Sequence, residues 1–246
     1  MQNITLAKQS IENFSIDEGE YSDDAQTMQI HGNGQVFVRG EEVLVKANIN
    51  FGETNGCKVF IGRNVKGNFS ATFKGNDSLL FIGNGCRLNR LEIRSFQEND
   101  FIAIGNQVTT ASTNTWISGN GAGNAKPAII IGDDCMFSYD VVIRNSDAHP
   151  IFNISNDEQI NQPKGIVHIE PHVWIGEQVS ILKSVKIGAC SIISLGAIVT
   201  KDVPRFSVAS GVPAVSKIKT DIYWARNENE QAKTRAKYFL NKFKDS

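Results

Sequence analysis

The stretch that decides the fold is IEPHVWIGEQVSILKSVKIGACSIISLGAIVTKDV, which occupies residues 169–203. A large aliphatic residue recurs there at every sixth position, and four positions after each one stands a second residue that is small or β-branched. The first column comprises Ile169, Ile175, Ile181, Ile187, Ile193 and Val199, and the second comprises Val173, Val179, Val185, Ser191, Ala197 and Val203. This period matches neither an α-helix nor a plain amphipathic strand, whose side chains repeat every 3.6 and 2 residues.

A six-residue repeat fits a short strand followed by a corner, and three such units close a triangular coil of about eighteen residues. Stacked coils pair as parallel strands about 4.8 Å apart. The two columns then fill the interior of a prism, where β-branched side chains suit the strands. Glycine after the inward residue, as in Ile175-Gly176 and Ile187-Gly188, suits a corner with unusual backbone angles. We therefore predict an all-β fold, a parallel β-helix built from hexapeptide repeats.

The repeat also organises the rest of the chain. Looser units with extra corner residues occur earlier, at Ile61-Gly62, Ile82-Gly83, Ile104-Gly105 and Ile131-Gly132. We assign residues 31–218 to the β-helix, and within it the polar segment 145–165 interrupts the repeat and is predicted to be a projecting loop. Loops on rigid scaffolds commonly carry function. Residues 1–30 show no repeat and are predicted to be irregular, whereas 219–246 should form a C-terminal helix, because 221–243 lack Gly and Pro.

Composition excludes several classes of protein. The formal net charge of −1 gives no general attraction to nucleic acid or to anionic membranes. The first residues lack the apolar core of a signal peptide, and no stretch approaches the length of a membrane span. We therefore expect a cytoplasmic protein with no nucleic-acid partner and no membrane insertion. The cysteines lack CxxC spacing, so we expect buried, reduced thiols and no metal site.

Four motifs, in this order and spacing, resemble a known family. They are SDAHPIF at 146–152, HVWIG at 172–176, VTKDVP at 199–204 and GVPA at 211–214. Together they resemble the hexapeptide-repeat acetyltransferases, which include galactoside and maltose acetyltransferases and capsular polysaccharide O-acetyltransferases. The resemblance is strong over 129–218. The weaker coils from about Val43, with Gly-Asn corners, look most like the capsule-modifying branch.

The resemblance implies a left-handed β-helix, acetyl-CoA as the donor, and a homotrimer with active sites between neighbouring prisms. It further implies an O-acetyltransferase that modifies a sugar hydroxyl, in a capsular or other bacterial surface polysaccharide. N-acylation of a nucleotide-linked amino sugar stays open, because that reaction uses the same base and donor.

Acyl transfer to a hydroxyl needs a base, and imidazole suits this role because its pKa lies near neutrality. His149 lies in the interrupting loop and matches the family's catalytic position, so we predict that it is the general base. Asp147 is predicted either to orient the ring or to hold the loop through a local turn. Trp174 follows the inward Val173 and should point outward, and the resemblance implies that it lines the site.

The resemblance also places the donor. A backbone N–H at the Gly176-Glu177 corner is a candidate for stabilising the oxyanion. The pantetheine arm would run past Leu195 and Gly196, although the family usually has a small residue where Leu195 stands.

The nucleotide end of the donor is implied by a second set of residues. Thr200 and Lys201 match the family's segment at that end, and Lys201 is a candidate for neutralising a phosphate. The lysine that often follows Pro-Ala in the family is replaced here by Val215, so Lys217 is a candidate substitute.

Three rival functions remain. An acyl-cysteine enzyme would use Cys190, which lies within a regular repeat rather than beside a base. A zinc hydratase of the gamma-carbonic-anhydrase type would use His168 and His172, but no third ligand is evident, and we expect surface or interface positions for both. A non-catalytic β-helix scaffold would need neither His149 on a loop nor Trp174 after it.

Overall fold

The computed structural model describes residues 2–22, 28–40, 44–119, 126–162 and 165–244. Parts of the predicted N-terminal segment, projecting loop and C-terminal helix therefore lie outside the described residues, at 1, 23–27, 163–164 and 245–246. The helices are α1 Gln2–Ser10 and α2 Glu230–Lys244. The strands are β1 Met28–Gly32, β2 Gln35–Val38, β3 Val45–Gly52, β4 Lys58–Ile61, β5 Lys66–Phe73, β6 Leu79–Ile82, β7 Arg87–Ser95, β8 Phe101–Ile104, β9 Thr109–Thr110, β10 Asn114–Ser118, β11 Ala128–Ile131, β12 Met136–Phe137, β13 Val142–Arg144, β14 Ile166–Ile169, β15 Trp174–Ile175, β16 Ser180–Ile181, β17 Lys186–Ile187, β18 Ile192–Ile193, β19 Ile198–Val199, β20 Ser207–Ser210 and β21 Val215–Ile218.

The strands stack into three faces that enclose a prism. Face 1 consists of β2, β4, β6, β8, β11, β14 and β17. Face 2 runs through β9, β12, β15, β18 and β20, and face 3 runs through β10, β13, β16 and β19. The longer strand β7 bends from face 2 into face 3, because its residues Arg87 and Leu88 pair with β9 while 91–95 pair with β10. Successive strands of each face are parallel, whereas β20 and β21 form an antiparallel hairpin.

The predicted column of aliphatic residues lies in the prism interior. On face 1 the stacked residues in register, each at most 1% exposed, are Ile61, Ile82, Ile104, Ile131, Ile169 and Ile187. Ile175 pairs with Ile193 on face 2, and Ile181 pairs with Val199 on face 3. The six-residue period therefore identified the inward side chains correctly on all three faces, and the parallel β-helix is confirmed.

The N-terminal segment is not irregular as predicted, because it contains helix α1, which covers the outside of face 1. Ala7, Ile11 and Phe14 pack there on aromatic side chains that point outward from the strands. The ring of Phe14 lies 4.6 Å from that of Phe81. A helix of nine residues is marginal by itself, and most of its stability comes from tertiary packing, so the sequence of this segment alone carried little signal.

The C-terminal helix begins later than predicted. It starts at Glu230, where the Asn229 side chain accepts a hydrogen bond from the Ala232 N–H at 2.8 Å and so caps the helix. Residues 219–229 are not helical, and Trp224 among them is buried against the prism. The prediction failed here because contacts with the prism outweigh the local helix propensity. Within the described residues, no helix combines the length and apolarity needed to cross a bilayer.

His168 is buried beneath α1 rather than at the surface or an interface as predicted, and its Nε2 lies 2.7 Å from the Ser10 hydroxyl. Burial lowers the pKa of His168 to about 4. The unfolded chain, in contrast, protonates this side chain near pH 6.5. Because the unfolded state then binds more protons, this residue should destabilise the fold as the pH falls from about 6.5 to about 4.

We expect this effect to cost about 2 kcal/mol of unfolding free energy between pH 7 and pH 4.5. The His168→Gln variant keeps a polar partner for Ser10 and cannot be protonated, so it should lose that much less over the same interval. Urea unfolding of both proteins at the two pH values measures the difference. Parallel losses in the two proteins would show that His168 is not the titrating group.

Candidate functional site

His149 lies on the loop that leaves the prism after β13, at the corner between faces 3 and 1. Its side chain is exposed. Farther along, Phe152 and Gln159 form an antiparallel bridge that closes the loop on itself. The predicted general base is therefore accessible to a substrate and is carried by a folded-back loop.

Asn145 fixes both ends of this loop. Its buried amide Nδ2 donates to the Ser118 hydroxyl at 2.7 Å and to the carbonyl of Gly165, the last loop residue, at 3.4 Å. Its Oδ1 accepts the Gly119 N–H at 2.9 Å. The Ser118 hydroxyl in turn donates to the buried carboxylate of Asp100. The sequence analysis did not identify Asn145 as functional, because its role depends on partners 26 and 27 positions before it and 20 positions after it.

Asp147 holds the loop through charge and hydrogen bonding. Its carboxylate accepts hydrogen bonds from Asn161 Nδ2 at 2.9 Å and from the Lys183 ammonium group. The same Nδ2 atom donates to the backbone carbonyl of His149 at 2.9 Å, and Lys183 Nζ donates to the carbonyl of Asn161 at 3.0 Å. Burial would raise the pKa of Asp147, but the bonds from Lys183 and Asn161 outweigh it and lower the pKa.

These contacts favour one of the two predicted roles of Asp147. In the parts of the chain described, no hydrogen bond joins its carboxylate to the His149 ring, whereas its bonds to Asn161 and Lys183 tie the loop to itself and to the prism. Asn161 and Lys183 were not identified from the sequence, because nothing in their spacing reveals that they meet Asp147.

Trp174 points outward from face 2, as predicted, and is 38% exposed. Nearby, Glu177, Leu195 and Gly196 lie at the corner between faces 2 and 3, where the Gly196 N–H donates to the Glu177 carbonyl at 2.8 Å. Leu195 is 68% exposed, so its side chain points away from the prism. The Gly176 N–H donates to the Ile193 carbonyl at 2.8 Å, which leaves the Glu177 N–H as the oxyanion donor to consider at this corner.

The other residues predicted to bind acetyl-CoA lie elsewhere on the surface. Thr200 and Lys201 follow β19 at the corner between faces 3 and 1, and both are exposed. Lys217 is exposed on β21, opposite Val208. The structure thus brings Glu177, Leu195 and Gly196 together at one corner. Within one chain, Thr200, Lys201 and Lys217 lie at other places on the surface.

One prism also leaves the two catalytic candidates apart. His149 leaves the prism at the corner between faces 3 and 1, whereas Trp174 lies on face 2. Among the described residues, no hydrogen bond or ring contact links them. This arrangement is compatible with a site that is completed by a second copy of the chain.

His172 is fully buried within the chain, and the predicted surface or interface position is therefore wrong for this residue too. Its Nδ1 lies 2.7 Å from Asp134 Oδ2, and its ring stacks on Trp224 at 4.1 Å and on Phe239 at 5.1 Å. The C-terminal segment that covers it carries no repeat, so the periodicity could not reveal the burial. His168 is bonded to Ser10. Both histidines that the zinc hydratase hypothesis would use as ligands therefore already have partners within the fold.

The acyl-cysteine hypothesis is opposed by the chemistry of Cys190. The four cysteines are buried and unpaired, as expected. Burial raises the pKa of the Cys190 thiol to about 12. A thiol attacks as its thiolate, so this residue is a poor nucleophile at neutral pH.

Sequence comparison finds relatives among enzymes that acetylate sugars, although no protein-family model matches the chain. The polysialic acid O-acetyltransferase of Escherichia coli O1:K1 / APEC is 37% identical over 143 residues, which cover 58% of this chain and 46% of that protein. The polysialic acid O-acetyltransferase of Neisseria meningitidis is 33% identical over 127 residues, 46% of this chain and 59% of that protein. The matches thus span about half the length of these curated relatives.

Structure comparison extends the similarity to most of the chain. The crystal structure of the polySia-specific acetyltransferase NeuO has a TM-score of 0.76 at 30% identity, covering 89% of this chain and 99% of that one. The structure of the polysialic acid O-acetyltransferase OatWY has a TM-score of 0.62 at 25% identity, covering 88% and 99%. Both neighbours are left-handed β-helices, so the predicted hand of this parallel β-helix, with its projecting loop and C-terminal helix, is confirmed.

Proposed function

The chain belongs to the hexapeptide-repeat acetyltransferases, and on this premise we propose that it transfers an acetyl group from acetyl-CoA to a sugar hydroxyl. The acceptor would be a capsular or other bacterial surface polysaccharide, as the names of the relatives suggest. The observation that carries the proposal is the exposed His149, held on a loop that Asn145 anchors at both ends.

In the proposed reaction the His149 imidazole takes the proton of the acceptor hydroxyl, whose oxygen attacks the thioester carbonyl carbon. The negative charge that develops on the carbonyl oxygen would be stabilised by the Glu177 N–H. The tetrahedral intermediate collapses with cleavage of the carbon–sulfur bond. The departing thiolate of CoA takes the proton from the imidazolium, which leaves an acetyl ester and restores neutral His149.

The active site would be shared between neighbouring subunits of a homotrimer. Three prisms packed around a threefold axis form three grooves, each with two walls. His149 of one subunit would meet Trp174 of the next, and the exposed tryptophan would then be covered. The pantetheine arm of acetyl-CoA would pass Leu195 and Gly196. Thr200, Lys201 and Lys217 would bind the nucleotide end of the same molecule.

Transfer to an amino group of a nucleotide-linked sugar is the alternative reaction, and the product distinguishes the two. We expect the purified protein to consume acetyl-CoA in the presence of a glycan acceptor and to form an alkali-labile ester. Mass spectrometry after incubation with a panel of polysaccharides and amino sugars is the measurement. An alkali-stable amide would establish the alternative, and a panel left wholly unmodified would contradict the proposed function.

A further inference from the structure

Face 2 carries a continuous column of outward side chains that leads away from Trp174. In register down this column stand Trp174, Met136, Thr109, Arg87 and Lys66. Because stacked strands repeat about every 4.8 Å, Arg87 lies about 14 Å and Lys66 about 19 Å below the level of Trp174. A ligand that presents one unit to Trp174 and continues along the prism must therefore pass over two cations.

The C-terminal segment forms a wall beside this column. At the upper end the ring of Trp224 lies 6.4 Å from that of Trp174. One level above Arg87, Arg226 Nη1 donates to the Thr109 hydroxyl at 2.7 Å. Below the contact between Arg226 and Thr109, the first turns of α2 face Arg87 across a groove of about 700 Å³. The lining of this groove includes Asn229, Gln231 and Arg235. We call this space the face 2 groove.

The face 2 groove has an excess of positive charge. Its carboxylate, Asp134, is already paired with Arg226 and His172. Arg87 and Arg235, in contrast, form no close ion pair among the described residues, although the charge of Arg235 contributes to the lowered pKa of Glu12. The Arg235 guanidinium stacks over the Phe239 ring at 4.7 Å, and its buried Nε has no hydrogen-bond partner in the described structure. These cations are concentrated here in a protein of formal net charge −1.

Guanidinium groups pair with carboxylates in a planar geometry that uses two hydrogen bonds, and such charge-assisted bonds are stronger than neutral ones. We propose that the face 2 groove binds the carboxylates of an acidic polysaccharide, on sugars that flank the one acetylated beside Trp174. Arg87 and Arg235 contact these carboxylates, Asn229 and Gln231 bond to sugar hydroxyls, and Lys66 extends the path. The inference rests on the proposed function and adds the subsite that recognises the acceptor.

The test is a binding measurement with two polymers, polysialic acid and its neutral methyl ester, by isothermal titration calorimetry. We expect the wild-type protein to bind the acidic polymer, more weakly as salt is added, and to bind the ester poorly. The double variant Arg87→Glu, Arg235→Gln should bind polysialic acid about tenfold more weakly or worse, with unchanged affinity for acetyl-CoA. The single variant Arg87→Glu changes an exposed residue and should show part of the loss without affecting the fold.

The matched control is Arg63→Glu, since Arg63 is exposed and lies outside the groove. It should bind polysialic acid like the wild type. The inference is overturned if the wild type fails to bind polysialic acid, or if the double variant binds it equally tightly. It is also overturned if the variants lose acetyl-CoA instead, because the groove then holds the phosphates of the donor. Failure of the proposed function would appear differently, as normal polymer binding without acetyl transfer.

Discussion

Replacing His149 with alanine is expected to lower kcat by about 10²–10⁴, the range for loss of a positioned general base. The ring is exposed on a loop whose two ends are tied by Asn145, so removing it should leave the fold intact. Affinity for CoA should change little, because the imidazole acts on the acceptor hydroxyl. Steady-state kinetics with a saturating acceptor, together with direct titration of CoA, separates the two effects.

A matched control is His31→Ala, since His31 is also exposed but lies on β1, far along the chain from the loop. Its kcat should equal that of the wild type. Free imidazole should restore part of the activity of His149→Ala, because the missing ring leaves an accessible space. A His149→Ala variant with near-wild-type kcat would show that another residue is the base.

The same variant tests whether sites are shared between subunits. Mixed trimers can be formed from subunits with His149→Ala and subunits in which Gly196 is replaced by tryptophan. Gly196 adopts a φ of +69°, which disfavours any side chain, and the added ring would obstruct the donor path. If each site uses both subunits, some mixed sites contain an intact His149 and an intact Gly196, and activity returns. Mixed trimers without activity would place both residues in one subunit's site.

Replacing Arg226 with methionine is expected to destabilise the protein by about 3 kcal/mol, the low end of the range for breaking a buried ion pair, because Asp134 keeps its bond from His172. Its guanidinium donates to Asp134 Oδ1 at 3.1 Å and to the carbonyls of Gln107, Asp134 and Cys135 at 2.9, 3.1 and 3.1 Å. The Asp134 side chain is only 2% exposed. Burial would raise its pKa, but the bonds from His172 and Arg226 keep the pKa below its usual value.

Urea unfolding at a fixed protomer concentration measures the loss, because assembly would otherwise shift the apparent stability. Lys233→Met is the matched control: its partner Glu230 is 84% exposed, so this variant should cost less than about 1 kcal/mol. Arg226→Lys keeps the charge but cannot reach all the acceptors, so it should fall in between. A loss for Arg226→Met no larger than that for Lys233→Met would rule out this cluster as the anchor of the C-terminal segment.

The sequence by itself determined the parallel β-helix, the inward column from Ile61 to Ile187 and the outward position of Trp174. It also located the loop that carries His149. These features follow from the periodicity because stacked coils impose the same inward and outward alternation on every turn. Each coil repeats the same local geometry, so the pattern can be recognised from a few consecutive residues.

Only the tertiary structure decided what covers the outside of the prism. The burial of His168 under α1 joins residues 158 positions apart, and the bond from Arg226 to Thr109 spans 117. Such contacts occur once and leave no period in the sequence. The closure of the His149 loop by Asn145 and the face 2 groove beside Trp174 depend on the same kind of contact. The repeat therefore specifies the scaffold, whereas segments without a repeat, packed on it by single long-range contacts, shape the surface on which the chemistry is proposed to occur.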